Sequence, residues 1–393
     1  MQLHDTLPFT SLVFVQFTLL AVALMYFCKW ISPTKRTYKV VLTVICASYI
    51  GLLYPKPLNI LSLIVFLYLS LILLKKYYKR SNVVFPMLVL ASPIFWMKAS
   101  NIIDFPEERT LADGIMALIQ IAGLSYMVFK VMGLYIDERR STKIPSFVDF
   151  FNFTSFFPTL LIGPIDRFKR FNADVDKGFE NLTGAKFLIG WRKLLIGLLY
   201  KFIVAELIRR LVLSHLVDDG SLLFHLSYMY SYLFYLFFDF AGYSLLAMAV
   251  GNFLGIDVPY NFDRPFLALN PKEFWKKWHK SLGDWLNDYF FKPIFMYLTT
   301  NKILASIQRQ NMALFSTFTL MGFWNGFELH YIVSGMLFGA YAVIHNYYVY
   351  RCKQSKRDVF FGKMGASMVK HISILLMFNS VAFAIYIFSG KLI

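Results

Sequence analysis

Apolar runs long enough to cross a lipid bilayer recur from one end of this chain to the other, and few folds accommodate that. The stretch from Leu7 to Cys28 contains no charged residue, and a bilayer core about 30 Å thick needs roughly 20 apolar residues per helix. Runs of spanning or near-spanning length continue to the C-terminus, about ten or eleven in all, and leave no room for a separate soluble domain. The expected fold is an all-α integral membrane protein, with residues 1–393 forming a single polytopic membrane domain. No small-residue cleavage site follows the first run, so it reads as an anchor and not as a removed signal. Composition agrees: 58% of residues are hydrophobic and 19% aromatic, against roughly half apolar in soluble domains.

The net charge of +17 raises nucleic acid as a partner. However, the Lys and Arg residues lie in short clusters between apolar runs, as membrane topology requires, and not on one continuous stripe. Lys29, Lys35, Arg36 and Lys39 follow the first run, and Lys75, Lys76, Lys79 and Arg80 follow the third. The next loop, Lys98 to Asp113, is acidic through Asp104, Glu107, Glu108 and Asp113, and Arg139, Arg140 and Lys143 come after the following run. Strong basic clusters thus fall at every second loop, which places the N-terminus outside. Cys28, Cys46 and Cys352 are scattered, without the C-x-x-C spacing of metal or redox sites, and read as packed thiols.

Beyond Lys143 the pattern is less regular. Pro145 to Pro164 is rich in Phe but interrupted by Pro158, as a re-entrant segment would be. Later spans are expected at Phe187–Leu213, Leu222–Leu254, Asn311–Trp324, Leu329–Tyr350 and Lys370–Phe388. The first of these carries Arg192, Lys193, Lys201 and Glu206, which at bilayer depth must pair or face a wet cavity. Pro271 to Pro293 is too charged to span, yet Phe274, Trp278, Leu282, Trp285 and Tyr289 follow a helical period, so one interfacial or re-entrant amphipathic helix is expected there.

Templates of soluble enzymes do not fit, since there is no P-loop, G-x-S-x-G or H-E-x-x-H. The candidates for chemistry are polar groups among apolar ones. His4, His215, His225 and His371 read as interfacial, whereas His279, His330 and His345 lie in or near apolar segments and need partners. Asp239 stands among aromatics, and an ionised carboxylate there must be paired or coordinate something; Arg264 is a possible partner for it, or for a phosphate.

Five segments in order resemble the membrane-bound O-acyltransferases. They are G-L-S-Y-M-V-F-K from Gly123, F-F-P-T-L-L-I-G-P-I-D-R-F-K-R-F from Phe156 to Phe171, D-F-A-G-Y-S from Asp239, N-F-D-R-P-F from Asn261 and E-F-W-K-K-W-H from Glu273 to His279. With the later W-x-G turn they cover a core of about residues 120–350. Within the family the likeness is to members that transfer D-alanine. It implies a ring of transmembrane helices, with re-entrant or interfacial helices, around a central tunnel in a bacterial cell membrane. No cofactor is bound. A small acidic D-alanyl carrier protein supplies a phosphopantetheine thioester on the cytoplasmic side. The acyl group passes to an extracytoplasmic hydroxyl acceptor, a lipid or glycopolymer such as teichoic acid. Asp239, Arg264, Trp275 and Trp278 become tunnel or structural residues, and Lys292, Ile294, Phe295 and Met296 the carrier contact. No metal is implied.

Family members use a His in W-H-G as general base. Here the residue after Trp324 is Asn325, and an amide has no useful basicity near neutral pH. The chain is therefore an engineered inactive form, a natural variant with its base elsewhere, or a member that binds acyl carriers without turnover. His279 and His330 are the substitute bases the sequence offers. The competing class is a transporter or channel, which Asp239, Arg192 and Lys193 would also suit.

Overall fold

The computed structural model describes residues 9, 11–78, 83–100, 123–139, 141, 143–356 and 366–392. The acidic loop with Asp104, Glu107, Glu108, Arg109 and Asp113 lies outside them, as do His4, Lys79, Arg80 and Arg140. Among the described residues every regular element is helical: α1 (Leu12–Ile31), α2 (Lys35–Leu53), α3 (Pro57–Tyr77), α4 (Val84–Ser100), α5 (Leu124–Glu138), α6 (Phe147–Thr154), α7 (Phe168–Lys177), α8 (Gly184–Leu198), α9 (Glu206–Leu211), α10 (Leu222–Phe253), α11 (Pro271–Trp275), α12 (Lys280–Leu286), α13 (Lys292–Thr300), α14 (Ser306–Asn325), α15 (Leu329–Gln354) and α16 (Ala366–Phe388). The starts follow local chemistry. Ser11 and Thr34 accept hydrogen bonds from Phe14 N and Thr37 N, each at 3.1 Å, capping α1 and α2, and Pro57 opens α3 at a position where its missing N–H costs nothing.

Five of the described helices are long and apolar enough to cross a membrane: α1, α2, α3, α10 and Ser367–Phe388 of α16. The sequence expectation of about ten or eleven counted apolar runs without asking whether each forms one long apolar helix. Two runs differ in form. Pro145–Pro164 folds as the short α6 and a 3-10 turn at Phe157–Thr159, and Phe187–Leu213 is interrupted by a π-helical turn at Leu199–Ala205. Each charge the sequence flagged there has its own solution. Lys193 donates to Asn252 Oδ1 at 2.9 Å, Lys201 pairs with Asp239, Glu206 holds Arg209 and Arg210, and Arg192 is exposed.

The chain forms two compact units: residues 1–196 with 243–259, and residues 197–242 with 260–393. In the first, the buried Tyr38 hydroxyl donates to Leu254 O at 2.6 Å, and Asp174 accepts from Asp257 N at 2.9 Å. Together they hold the loop after α10 onto the α2 and α7 region. In the second, α14 and α15 pack as a hairpin through glycines. A Cβ at Gly335 would lie 2.6 Å from Phe318 O and 2.9 Å from Gly322 Cα, so only glycine permits this approach. Ser334 Oγ donates to Ala384 O at 2.8 Å, tying the start of α15 to the end of α16.

Candidate active site

The segment Glu273 to His279 is built by reciprocal capping. Asn270 Oδ1 accepts from Glu273 N at 2.9 Å, Glu273 Oε2 accepts from Leu269 N at 2.9 Å, and Lys277 closes on Glu273 Oε1 at 2.7 Å. Helix α11 stops after Trp275, and His279 takes a left-handed conformation, φ 42° and ψ 50°. The expected single amphipathic helix over Pro271–Pro293 is therefore broken at His279, and π-helical again at Asn287–Phe291. Its apolar stripe survives the break, with Phe274, Trp278, Leu282, Trp285 and Tyr289 all buried.

The break is held by the N-F-D-R-P-F loop. Lys277 O accepts from Asp263 N and Asn261 O from Lys280 N, both at 2.9 Å, while the buried Asn261 Oδ1 accepts from Ser281 Oγ at 2.6 Å. Arg264 is also left-handed, at φ 49°. A non-glycine residue in that region costs about 1–2 kcal/mol, so these two, in motifs joined by hydrogen bonds, are held by surrounding bonds, as functional geometry often is.

These bonds fix His279, 7% exposed, with its ring edge-on to Phe240 at 4.7 Å. Its Nε2 is buried without a hydrogen-bond partner, as is Trp275 Nε1. Burial lowers the His279 pKa to about 3, so the imidazole is neutral at pH 7. Trp278 lies in an aromatic cluster with Phe237, Phe262, Phe266 and Phe274. A neutral imidazole with a vacant buried nitrogen can accept or donate one hydrogen bond to a substrate atom.

Asn325 ends α14, where its side chain is exposed and its Nδ2 donates back to Met321 O at 2.8 Å. That bond stays within its own helix and reaches neither His279 nor His330. A Cβ at Gly326 would collide with the Tyr331 ring, which explains glycine in the W-N-G turn. His330 packs on Tyr331, centroids 4.0 Å apart, and against Gly390.

Asp239 pairs with Lys201 at 2.6 Å, with side chains 23% and 3% exposed. The pairing with Arg264 that the sequence suggested is not formed. Arg264 is exposed, and Lys201 reaches Asp239 because Gly242, one turn on, lets the two backbones approach: a Cβ there would lie 2.7 Å from Lys201 N. On α13 and its approach, Lys292 pairs with Asp288 at 2.6 Å, and Ile294 and Phe295 are half-buried, Phe295 stacking on Phe291. Met296 and Tyr297 are 65% and 64% exposed. Tyr297 was not among the sequence candidates.

The sequence matches the MBOAT, membrane-bound O-acyltransferase family, over residues 44–389. The chain belongs to this family. Relatives include a teichoic acid D-alanyltransferase of Streptococcus thermophilus, 35% identical over 71% of both chains, and one of Bacillus subtilis, 34% identical over 79% of both. A peptidoglycan O-acetyltransferase of Helicobacter pylori is 31% identical over 72% of this chain and 54% of its own.

As a membrane-bound O-acyltransferase, the chain is a multi-pass membrane enzyme of acyl transfer, which decides against the transporter class. The family match begins well before the motifs near Gly123 and ends well after the W-N-G turn. Sequence reasoning singled out the His279 segment and the Asn325 turn as candidates. It missed Lys201 as the partner of Asp239, because the two lie far apart in sequence. It also set aside His225, whose Nδ1 lies 2.6 Å from the buried Tyr386 hydroxyl.

Proposed function

We propose that this membrane O-acyltransferase moves D-alanine, or a similarly small acyl group, from the phosphopantetheine thioester of a small acidic carrier protein to an extracytoplasmic hydroxyl of teichoic acid or a related polymer. The setting is a bacterial cell membrane, and the N-terminus lies outside. The observation that carries the reading is the 34–35% identity, over most of the chain, to two proteins named for D-alanyl transfer to teichoic acid. The third relative is named for another envelope polymer.

Charge distribution supports the orientation. Arg351 and Lys353 end α15, Lys370 lies near the start of α16, and Glu273 lies within electrostatic range of Lys370. That end of the second unit also carries Lys272, Lys276, Lys277 and Lys280, and by the positive-inside rule it is cytoplasmic. An acidic carrier is steered to the same side, with Met296 and Tyr297 beside Lys292, Ile294 and Phe295 as the apolar anchor.

The chemistry follows from the groups. An alcohol attacks a thioester slowly until a base takes its proton, a contribution of about 100-fold to 10,000-fold. Asn325 cannot take that proton. Neutral His279 is a hydrogen-bonding group toward the pantetheine arm or the reacting carbonyl, and transfer by this chain is slow for its family. The test is to reconstitute the protein in vesicles with a D-alanyl-loaded carrier outside its cytoplasmic face and a hydroxyl polymer on the other. Alkali-labile D-alanyl ester should accumulate on the polymer. Carrier binding without any ester formation would contradict transfer and favour a carrier-binding role.

A further inference from the structure

Of the charges that the sequence flagged on the run Phe187–Leu213, three are satisfied within the chain. Lys193 donates to Asn252, Lys201 pairs with Asp239, and Glu206 holds Arg209 and Arg210. Arg192 is different: it is exposed, and among the described residues no hydrogen bond or ion pair reaches it.

The packing of α8 fixes the side to which Arg192 points. Gly190 lies on α10, where a Cβ would stand 2.8 Å from the Phe253 ring and 3.1 Å from Ala249 O, and Lys193 reaches Asn252 on the same helix. With 3.6 residues per turn, Arg192 lies about 200° from Gly190, away from α10. Its neighbours on that outer face, Leu188 and Leu195, are 68% and 51% exposed. One guanidinium thus interrupts a lipid-facing apolar stripe. Its depth follows from α1. Lys29, in the last turn of α1, donates to Leu182 O at 2.6 Å just before α8 begins, and Trp30 beside it is 81% exposed, as aromatic residues at a membrane–water boundary are. One turn deeper, Tyr26 meets Phe187, ring centroids 6.3 Å apart. Arg192 lies about 12 Å along α8 from Gly184. Helical side chains tilt toward the N-terminus, which here is the end at the membrane surface, so the long Arg stem lifts its guanidinium toward the lipid headgroups.

We propose that Arg192 holds the phosphate of a membrane phospholipid on the outer face of α8, with Leu188 and Leu195 against its acyl chains. A guanidinium on a lipid-facing surface is costly unless something neutralises it, and a phosphodiester is the acceptor that a bilayer offers at that level. The planar fork of Arg makes two parallel N–H···O bonds to one phosphate, which an ammonium cannot. A lipid held there fixes the depth of α8 beside α1. The site is the same whichever acyl group the enzyme transfers.

The experiment uses the full-length protein in maltoside micelles, which contain no phosphate, titrated with phosphatidylglycerol and followed by native mass spectrometry. An uncharged digalactosyl diacylglycerol with the same acyl chains is the comparison. Phosphatidylglycerol should bind more tightly than the galactolipid. Arg192→Gln should weaken phosphatidylglycerol binding about 10-fold and leave the galactolipid unchanged, which also reports that the variant is folded. Arg192→Lys, which keeps the charge without the fork, should fall between the two. Arg36→Gln removes the same charge from an exposed position at the start of α2 and should leave phosphatidylglycerol affinity unchanged. Undiminished phosphatidylglycerol affinity in Arg192→Gln, an equal loss in Arg36→Gln, or galactolipid binding as tight as that of phosphatidylglycerol would overturn the site. A dimer that dissociates in Arg192→Gln, with no phospholipid retained, would assign the guanidinium to a second copy of the chain and overturn it as well.

Discussion

The His279 segment and the Asn325 turn lie in the same unit, and they are held in opposite ways. His279 is buried, left-handed and fixed by hydrogen bonds from a second motif, with one nitrogen left open. Asn325 is an exposed helix end whose amide is turned back onto Met321 O. On the proposed reading, the frame that would receive an acyl group is kept, while position 325, where the resemblance places the base, carries an amide unable to take a proton. A change at an exposed helix end need not disturb packing, so on that reading it would alter chemistry without altering the fold. A change in the His279 frame would alter both.

The comparison sharpens first at the ion pair beneath the frame. Lys201→Met leaves Asp239 without its partner in a membrane-spanning helix. Removing one partner of a buried pair costs about 3 kcal/mol or more, so the variant should lose most folded yield, read by thermal stability in detergent. Lys201→Met with Asp239→Leu should recover much of it. Next comes the proposed carrier surface. Met296→Asp places a charge in the most exposed apolar position of α13, and a hot-spot loss of about 2 kcal/mol would weaken carrier affinity roughly 30-fold. Phe295→Asp would confuse the test, because Phe295 also packs on Phe291.

Acid should separate the two regions. In the unfolded chain the His279 imidazole takes a proton near pH 6.5, but in the folded chain not until about pH 3. The unfolded state then binds more protons in that window. Stability is full above pH 6.5 and should fall by about 1.4 kcal/mol per pH unit below it, a slope that His279→Phe should remove and Asn325→Asp should not. The smallest effect is expected at the zipper between motifs. Asn261→Ala removes the acceptor of Ser281 Oγ and should cost about 0.5–1.5 kcal/mol, the net worth of a typical hydrogen bond, and less with Ser281→Ala added.

The long apolar helices were legible. Leu222–Leu254 was expected and Leu222–Phe253 found, and Lys370–Phe388 was expected where Ser367–Phe388 is found. Such spans declare themselves because length and hydropathy are local properties. The break at His279 was not legible, since the residues on either side keep the helical period while bonds to Asn261 and Asp263 bend the chain between them. The π-helical turn holding Lys201 was hidden for a similar reason: it depends on the close approach of Gly242.

The most direct test compares this protein with Asn325→His in one reconstituted assay, measuring the single-turnover rate of acyl transfer from a loaded carrier to a hydroxyl acceptor together with carrier affinity. If the frame is intact and only the base is missing, the variant should be about 100-fold to 10,000-fold faster at unchanged carrier affinity. Equal, robust rates in the two proteins would contradict the account and place the base at a residue other than position 325.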